Sequence, residues 1–233
     1  MSDKVALVAG VGRGTGGAVA RRLAKGGYRV ALLARSEPRL REFEAELAGS
    51  LALPCDIADP AALDAALAQC RCELGEPEIV VHNAARGSWG GFMDIDPADV
   101  EANFRVNTMS LLYLARAVAP AMIERGRGSI IVTGNTAAWR GKPNYSGFAP
   151  TKAAQRVLAE AIARELGPQG IHVAYVVIDA IIDLRWTRRR YPDLPDDRFA
   201  KPEAIAEAIY QTAHQDRSAW SFNVELRPFT EVW

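Results

Sequence analysis

Only three cysteines occur in 233 residues, Cys55, Cys70 and Cys72. A disulfide framework wants an even count and a secreted context, so reduced thiols are expected. Cys70-Arg71-Cys72 has no second Cys or His pair at zinc-ligand spacing, and no metal site is expected. Histidine is equally sparse, and no Ser/His/Asp set suggests a hydrolase. Charge of one sign is missing too: 28 basic residues balance 28 acidic ones, leaving no bulk field to attract nucleic acid or an anionic membrane. No apolar run approaches the roughly 20 residues of a membrane span. Met1-Ser2-Asp3-Lys4 leads straight into a strand pattern, which leaves no room for a signal peptide and predicts a cytoplasmic protein. There is no Gly/Pro/Ser-rich linker, internal repeat or low-complexity tract, so residues 1–233 read as one domain.

What is present is an alternation. Runs rich in Val, Ile and Leu predict strands at Val5–Gly10, Arg29–Ala34, Leu51–Cys55, Ile79–His82, Ser129–Thr133 and Val173–Ile178, with a last one near Ser221–Leu226. Amphipathic patterns between them predict helices at Gly16–Lys25, Arg39–Leu47, Ala61–Leu74, Val100–Glu124, Ala149–Leu166 and Pro202–His214. Strands that are almost wholly apolar belong to a sheet covered on both faces. The expected fold is α/β, a Rossmann-type doubly wound parallel sheet with helices on both sides.

The first predicted strand ends in Ala9-Gly10-Val11-Gly12-Arg13-Gly14-Thr15-Gly16-Gly17 and opens a helix. A strand-to-helix turn without Cβ atoms lets the backbone approach a pyrophosphate, whose charge the helix N-terminus stabilises. Gly12, Gly14 and Gly17 satisfy GxGxxG, while Gly10, Gly14 and Gly16 match GxxxGxG. Placement in the first strand–helix turn makes this a dinucleotide signature. The second strand closes on Ala34-Arg35, where an acid would select NAD. Arg35 and Arg13 together favour a 2′-phosphate and hence NADP. Glu37 keeps NAD as the alternative.

In these motifs the chain resembles the short-chain dehydrogenase/reductase family over nearly its full length. The glycine loop is similar to the family's TGxxxGxG, with Ala9 for Thr. The resemblance carries adenine contacts to Asp56, with Ile57 beside it, and cofactor contacts to Asn83 and Ala84 in His82-Asn83-Ala84-Ala85. It makes Asn107 the asparagine that holds a structural water in the family's proton relay. Lys152 matches the lysine of YxxxK, which binds the nicotinamide-ribose hydroxyls. Three departures fall at the chemistry. Phe148 stands for the catalytic tyrosine and Asn135 for the substrate-polarising serine. Ile178-Asp179 replaces Pro-Gly, and Asp183 replaces the threonine that meets the carboxamide, with Ile181 between them expected on the cofactor.

Another phenol lies upstream. Tyr145 and Lys152 have six residues between them, a spacing similar to that of the enoyl-thioester reductases. Tyr145 and Asn135 would then donate to a substrate oxygen as negative charge develops; Tyr145 packing as an aromatic residue against the next helix is the competing reading. Asp183–Asp197, aromatic, basic and interrupted by prolines, predicts a lid around 183–200. The aromatic C-terminal stretch Trp220–Phe229 and the two long helices predict a homodimer or homotetramer. The resulting expectation is an NADP(H)-dependent oxidoreductase reducing an activated C=C or C=O bond of a small, largely apolar substrate. The alternative is a nucleotide-binding sensor or partner subunit that lost its catalytic acid.

Overall fold

The computed structural model describes residues 4–231. Nine strands form in chain order: β1 (Val5–Ala9), β2 (Arg29–Ala34), β3 (Leu51–Pro54), β4 (Ile79–His82), β5 (Gly128–Gly134), β6 (Ile171–Ile178), β7 (Ile181–Ile182), β8 (Phe199–Ala200) and β9 (Asn223–Leu226). Seven make one parallel sheet in the order β3-β2-β1-β4-β5-β6-β9, and β7 pairs with β8 apart from it. The order reverses between β1 and β4, which opens a crevice at their carboxyl ends.

Side chains alternate between two helix layers because successive Cβ atoms point to opposite faces of a strand. Leu7, Leu33 and Ile130 enter one core, with α3 (Pro60–Glu73), α5 (Ser110–Arg125) and α6 (Ala149–Leu166). Val8, Leu32 and Ile131 enter the other, with α1 (Thr15–Lys25), α2 (Glu37–Glu46) and α8 (Pro202–Ala213). Local chemistry sets the ends. Pro60 sits at the start of α3, and Asp59 accepts from the Ala61 and Ala62 amides. Gly126, at φ 61°, stops α5 in the left-handed conformation.

The single long helix expected over Val100–Glu124 is instead α4 (Pro97–Phe104), a π turn over Arg105–Met109, and α5. A π turn adds a residue to the helical circuit, and this one leaves Asn107, Thr108 and Ser110 all buried. The continuous stretch Pro97–Arg125 is also long and apolar enough to cross a membrane by length and composition, which corrects the expectation that no such run exists. In the fold its inner face, Leu111, Leu114, Val118 and Met122, packs into the core. A short helix, α7 (Arg185–Arg190), completes the set.

Candidate active site

A cleft of about 400 Å³ opens at the carboxyl ends of β1, β2 and β4, with Asp56 and Ile57, just beyond β3, also on its wall. Gly10 has φ +96°, and a Cβ there would lie 2.5 Å from the Ala84 amide nitrogen. A Cβ on Gly16 would lie 2.2 Å from the Gly10 carbonyl oxygen. Gly12 has open space around it. Gly17 is closed as well, its Cβ falling on the Gly12 carbonyl oxygen and the Phe43 ring, so the fold requires glycine at Gly10, Gly16 and Gly17 and leaves Gly12 free. Gly14 faces Leu184 of the expected lid. Asn83 braces the turn: its amide donates to Gly10 O at 2.9 Å, and its oxygen accepts from the Thr133 hydroxyl at 3.1 Å.

Three features suit an anion at this turn. Helix α1 starts at Gly14 with no side-chain cap. The Thr15 hydroxyl is buried without a hydrogen-bond partner. The missing Cβ atoms leave a cradle for close approach. A pyrophosphate would accept from the free N–H groups and the hydroxyl together.

Arg35 lines the cleft as expected, and so do Ser36 and Arg39. Neither Arg35 nor Arg39 has an acidic partner among the described residues. Arg13 reaches Glu42 at 3.4 Å, both side chains largely exposed, and is not among the residues that line the cleft. Arg39, four residues beyond Arg35, is on the same wall, as is Arg86, which pairs with Asp99. Glu37, the residue that kept NAD open, pairs with Arg41 at 3.3 Å. Asp56 also accepts from the Ala58 amide at 3.0 Å.

Lys152 lies one turn into α6 and is 2% exposed. Its amine donates to the Thr133 carbonyl at 3.1 Å and to the Gln155 side-chain oxygen. Burial pushes it down to about 7. It forms part of the wall of neither the cofactor cleft nor the cavity that holds Asn135 and Tyr145. Asn107 is wholly buried and spent: its side chain binds both polar groups of the Arg86 backbone and the Thr151 hydroxyl. Its backbone carbonyl accepts from the Gln155 side chain at 2.7 Å. His82 is buried beneath the strand end, 2.7 Å from the Ser110 hydroxyl.

A second cavity, about 260 Å³, lies past β5 and β6 and brings together Asn135, Tyr145, Asp179 and Ile181. Asn135 accepts from the Ala137 amide at 3.1 Å, which leaves its own amide free to donate. Tyr145 meets Trp89 edge-on, 4.7 Å between ring centroids. Its hydroxyl has no hydrogen-bond partner among the described residues. Phe148 is buried, 4.9 Å from the same tryptophan, and has only apolar contact to offer. Asp179 accepts from the Thr136 hydroxyl at 3.1 Å.

Asp183 is not available to a carboxamide. Arg188 holds both its oxygens, at 2.7 and 2.8 Å, and keeps it below the usual carboxylate range. Arg188 also binds Asp196 and lies 3.8 Å over the Phe199 ring. Arg188 thus ties Asp183 to Asp196 within the segment expected to form a lid. Gln155 and Arg39 are the site residues that the sequence reading missed.

A seven-stranded parallel sheet with a glycine-lined crevice at its switch point defines a Rossmann-type nucleotide-binding fold. The chain belongs to the short chain dehydrogenase family, whose model matches residues 4–183. It is 33% identical over 178 residues to a short chain dehydrogenase of Pseudocercospora fijiensis, covering 73% of this chain but only 57% of that protein. It is 30% identical over 215 residues to the 3-oxoacyl-[acyl-carrier-protein] reductase FabG of Escherichia coli, 88% of each chain. Among solved structures, a metagenomic short-chain oxidoreductase in complex with NADP superposes with TM-score 0.85, at 29% identity and 99% coverage of both chains.

Proposed function

We propose that this chain is an NADP(H)-dependent reductase that delivers hydride to an activated C=O or C=C bond of a small substrate. The observation that carries this reading is the pair of unpartnered arginines, Arg35 and Arg39, on the cleft whose glycine turn holds the orphan Thr15 hydroxyl. That arrangement suits a 2′-phosphate at one end and a pyrophosphate at the other. The similarity to a short-chain oxidoreductase in complex with NADP supports the choice. Similarity to a 3-oxoacyl reductase supports the direction of reaction.

The nicotinamide would supply the hydride, while the protein supplies placement and electrostatics. Asp56, Ile57 and Ala84 would border the adenosine, and Ile181 the nicotinamide side. Lys152 would provide the cation behind the ribose. The Tyr145 hydroxyl and the Asn135 amide would donate to the substrate oxygen, where charge grows as the bond is reduced. Phe148 contributes an apolar wall and no proton. The cavity wall carries Arg140, Lys142 and Asp179 beside Tyr145 and Trp89. A polar small substrate therefore fits better than the largely apolar one expected from sequence.

Fluorescence titration with NADPH and NADH, followed by turnover on ketones, enones, enals and imines, tests the reading. Tighter NADPH binding with oxidation on at least one class is the expected result. Tight binding without turnover across all four classes would favour a nucleotide sensor instead.

A further inference from the structure

Behind the candidate site, Lys152 belongs to a set of buried polar groups whose other members have no part in the proposed function. It comprises His82 at the end of β4, Ser110 at the start of α5, Tyr175 on β6, and Lys152 and Gln155 on α6, each 2% exposed or less. Buried groups of this kind must satisfy one another, because no water competes for them.

Their proton directions can be worked out from one end. Ser110 donates its single proton to the Val106 carbonyl, which only accepts. Its oxygen must therefore accept from His82 Nε2, 2.7 Å away. His82 is then the Nε2–H tautomer, and its Nδ1 is an acceptor. The group facing Nδ1, at 3.4 Å, is the Gln155 side-chain nitrogen, which also donates to the Asn107 carbonyl at 2.7 Å. That fixes the amide. Its oxygen faces the Lys152 amine, which donates to it, and the Tyr175 hydroxyl at 3.3 Å, whose proton is shared with the Lys152 backbone carbonyl at 3.4 Å. A flipped amide would set donor against donor at Lys152 and acceptor against acceptor at Asn107.

We propose that Gln155 is the positioning residue of Lys152: its amide oxygen holds the amine against the carboxyl edge of β5, and its nitrogen occupies the Asn107 carbonyl. Lys152 is thereby held in place and is not a link in a proton chain through the π turn, because an amide nitrogen at that carbonyl does not pass protons on. The catalytic consequence rests on the proposed role of Lys152 behind the cofactor; the positioning itself does not. The titratable groups meeting Lys152 through this set are His82 from β4 and Tyr175 from β6. Burial keeps both neutral near pH 7, His82 down to about 3 and Tyr175 by a strong upward shift. A charge change there near neutrality belongs to Lys152.

The test uses full-length protein with 13Cε-labelled lysine and 15N-labelled histidine, in wild type, Gln155→Glu and Gln155→Leu, with Lys152→Met to assign the resonance. Gln155→Glu should raise the Lys152 midpoint by about one unit or more, a tenfold change in its proton affinity, and Gln155→Leu should lower it by a similar amount. His82 should show the Nε2–H tautomer in the wild type, the one its bond to Ser110 requires. Midpoints that coincide in all the folded proteins, or an Nδ1–H histidine in the wild type, would overturn the proposal. If Gln155→Leu does not fold, Gln155→Glu decides alone. The pH profile of kcat with NADPH gives a separate reading. Should the NMR midpoints move while that profile stays put, Gln155 keeps its role and the cofactor-side role of Lys152 falls.

Discussion

Thr15 keeps a hydroxyl buried with no partner, a situation that costs about 1–3 kcal/mol. A ligand that accepts from the hydroxyl would offset this cost, which gives the residue a double signature. Thr15→Val, close to isosteric, should raise the melting temperature of the free protein while weakening NADPH binding by about tenfold. Calorimetry and fluorescence titration read the two effects separately; a less stable free protein with unchanged affinity would make Thr15 a core residue only. Tyr145 also has a hydroxyl with no hydrogen-bond partner among the described residues, on a partly exposed ring already held by Trp89. Tyr145→Phe keeps the ring contact and removes the donor, so kcat should fall about 100-fold with NADPH affinity unchanged. An unaltered kcat would mean that the competing reading, an aromatic packed on its neighbours, is the correct one.

Among elements, the turn from β2 into α2 decides which nicotinamide is taken. Arg35 and Arg39 each face the cleft without an acidic partner, and a charge-assisted hydrogen bond is worth about 1.5–3 kcal/mol. The double replacement Arg35→Ala/Arg39→Ala should therefore raise the dissociation constant for NADPH by about 100-fold and that for NADH by less than about threefold. Equal losses for both would place these arginines on the adenine or the fold. This turn also shows how far the sequence could be read. The strands and long helices announce themselves through apolar period, and the glycine turn through its spacing. Arg13 and Arg39 are equally basic, and only packing sends the first to Glu42 and the second to the cleft. The two-residue strands β7 and β8 and the six-residue α7 are too short to carry a period at all. Gln155 was invisible for another reason. A glutamine on an amphipathic helix reads as solvated, and its partners come from β4, β6 and the π turn, as far as 73 positions away.

The molecule as a whole should respond to pH through the two buried groups at the carboxyl edge of the sheet. Lys152 is held down at about 7 from an ordinary 10.5, by burial. Below pH 7 both the folded and unfolded chains carry its proton, and the full cost of a buried ammonium weighs on the fold. Between about 7 and 10.5 the unfolded chain binds the extra proton, so stability rises with pH across that window, by at most about 5 kcal/mol. His82, held at about 3 by burial and by the Lys152 charge, acts in the same direction lower down, and stability falls as acid is added from pH 6.5 towards 3. The buried thiols of Cys55 and Cys70, pushed up to about 11, work against the gain once pH passes their ordinary value of 9. Comparison with Lys152→Met cancels the thiols and isolates the lysine. In urea titrations at pH 6, 7.5 and 9, the wild type should gain stability with each step, while Lys152→Met should be more stable than the wild type at pH 6 and much flatter to pH 9. Parallel curves for the two proteins would mean that Lys152 keeps an ordinary proton affinity inside the fold, and that the buried amide set does not govern its charge.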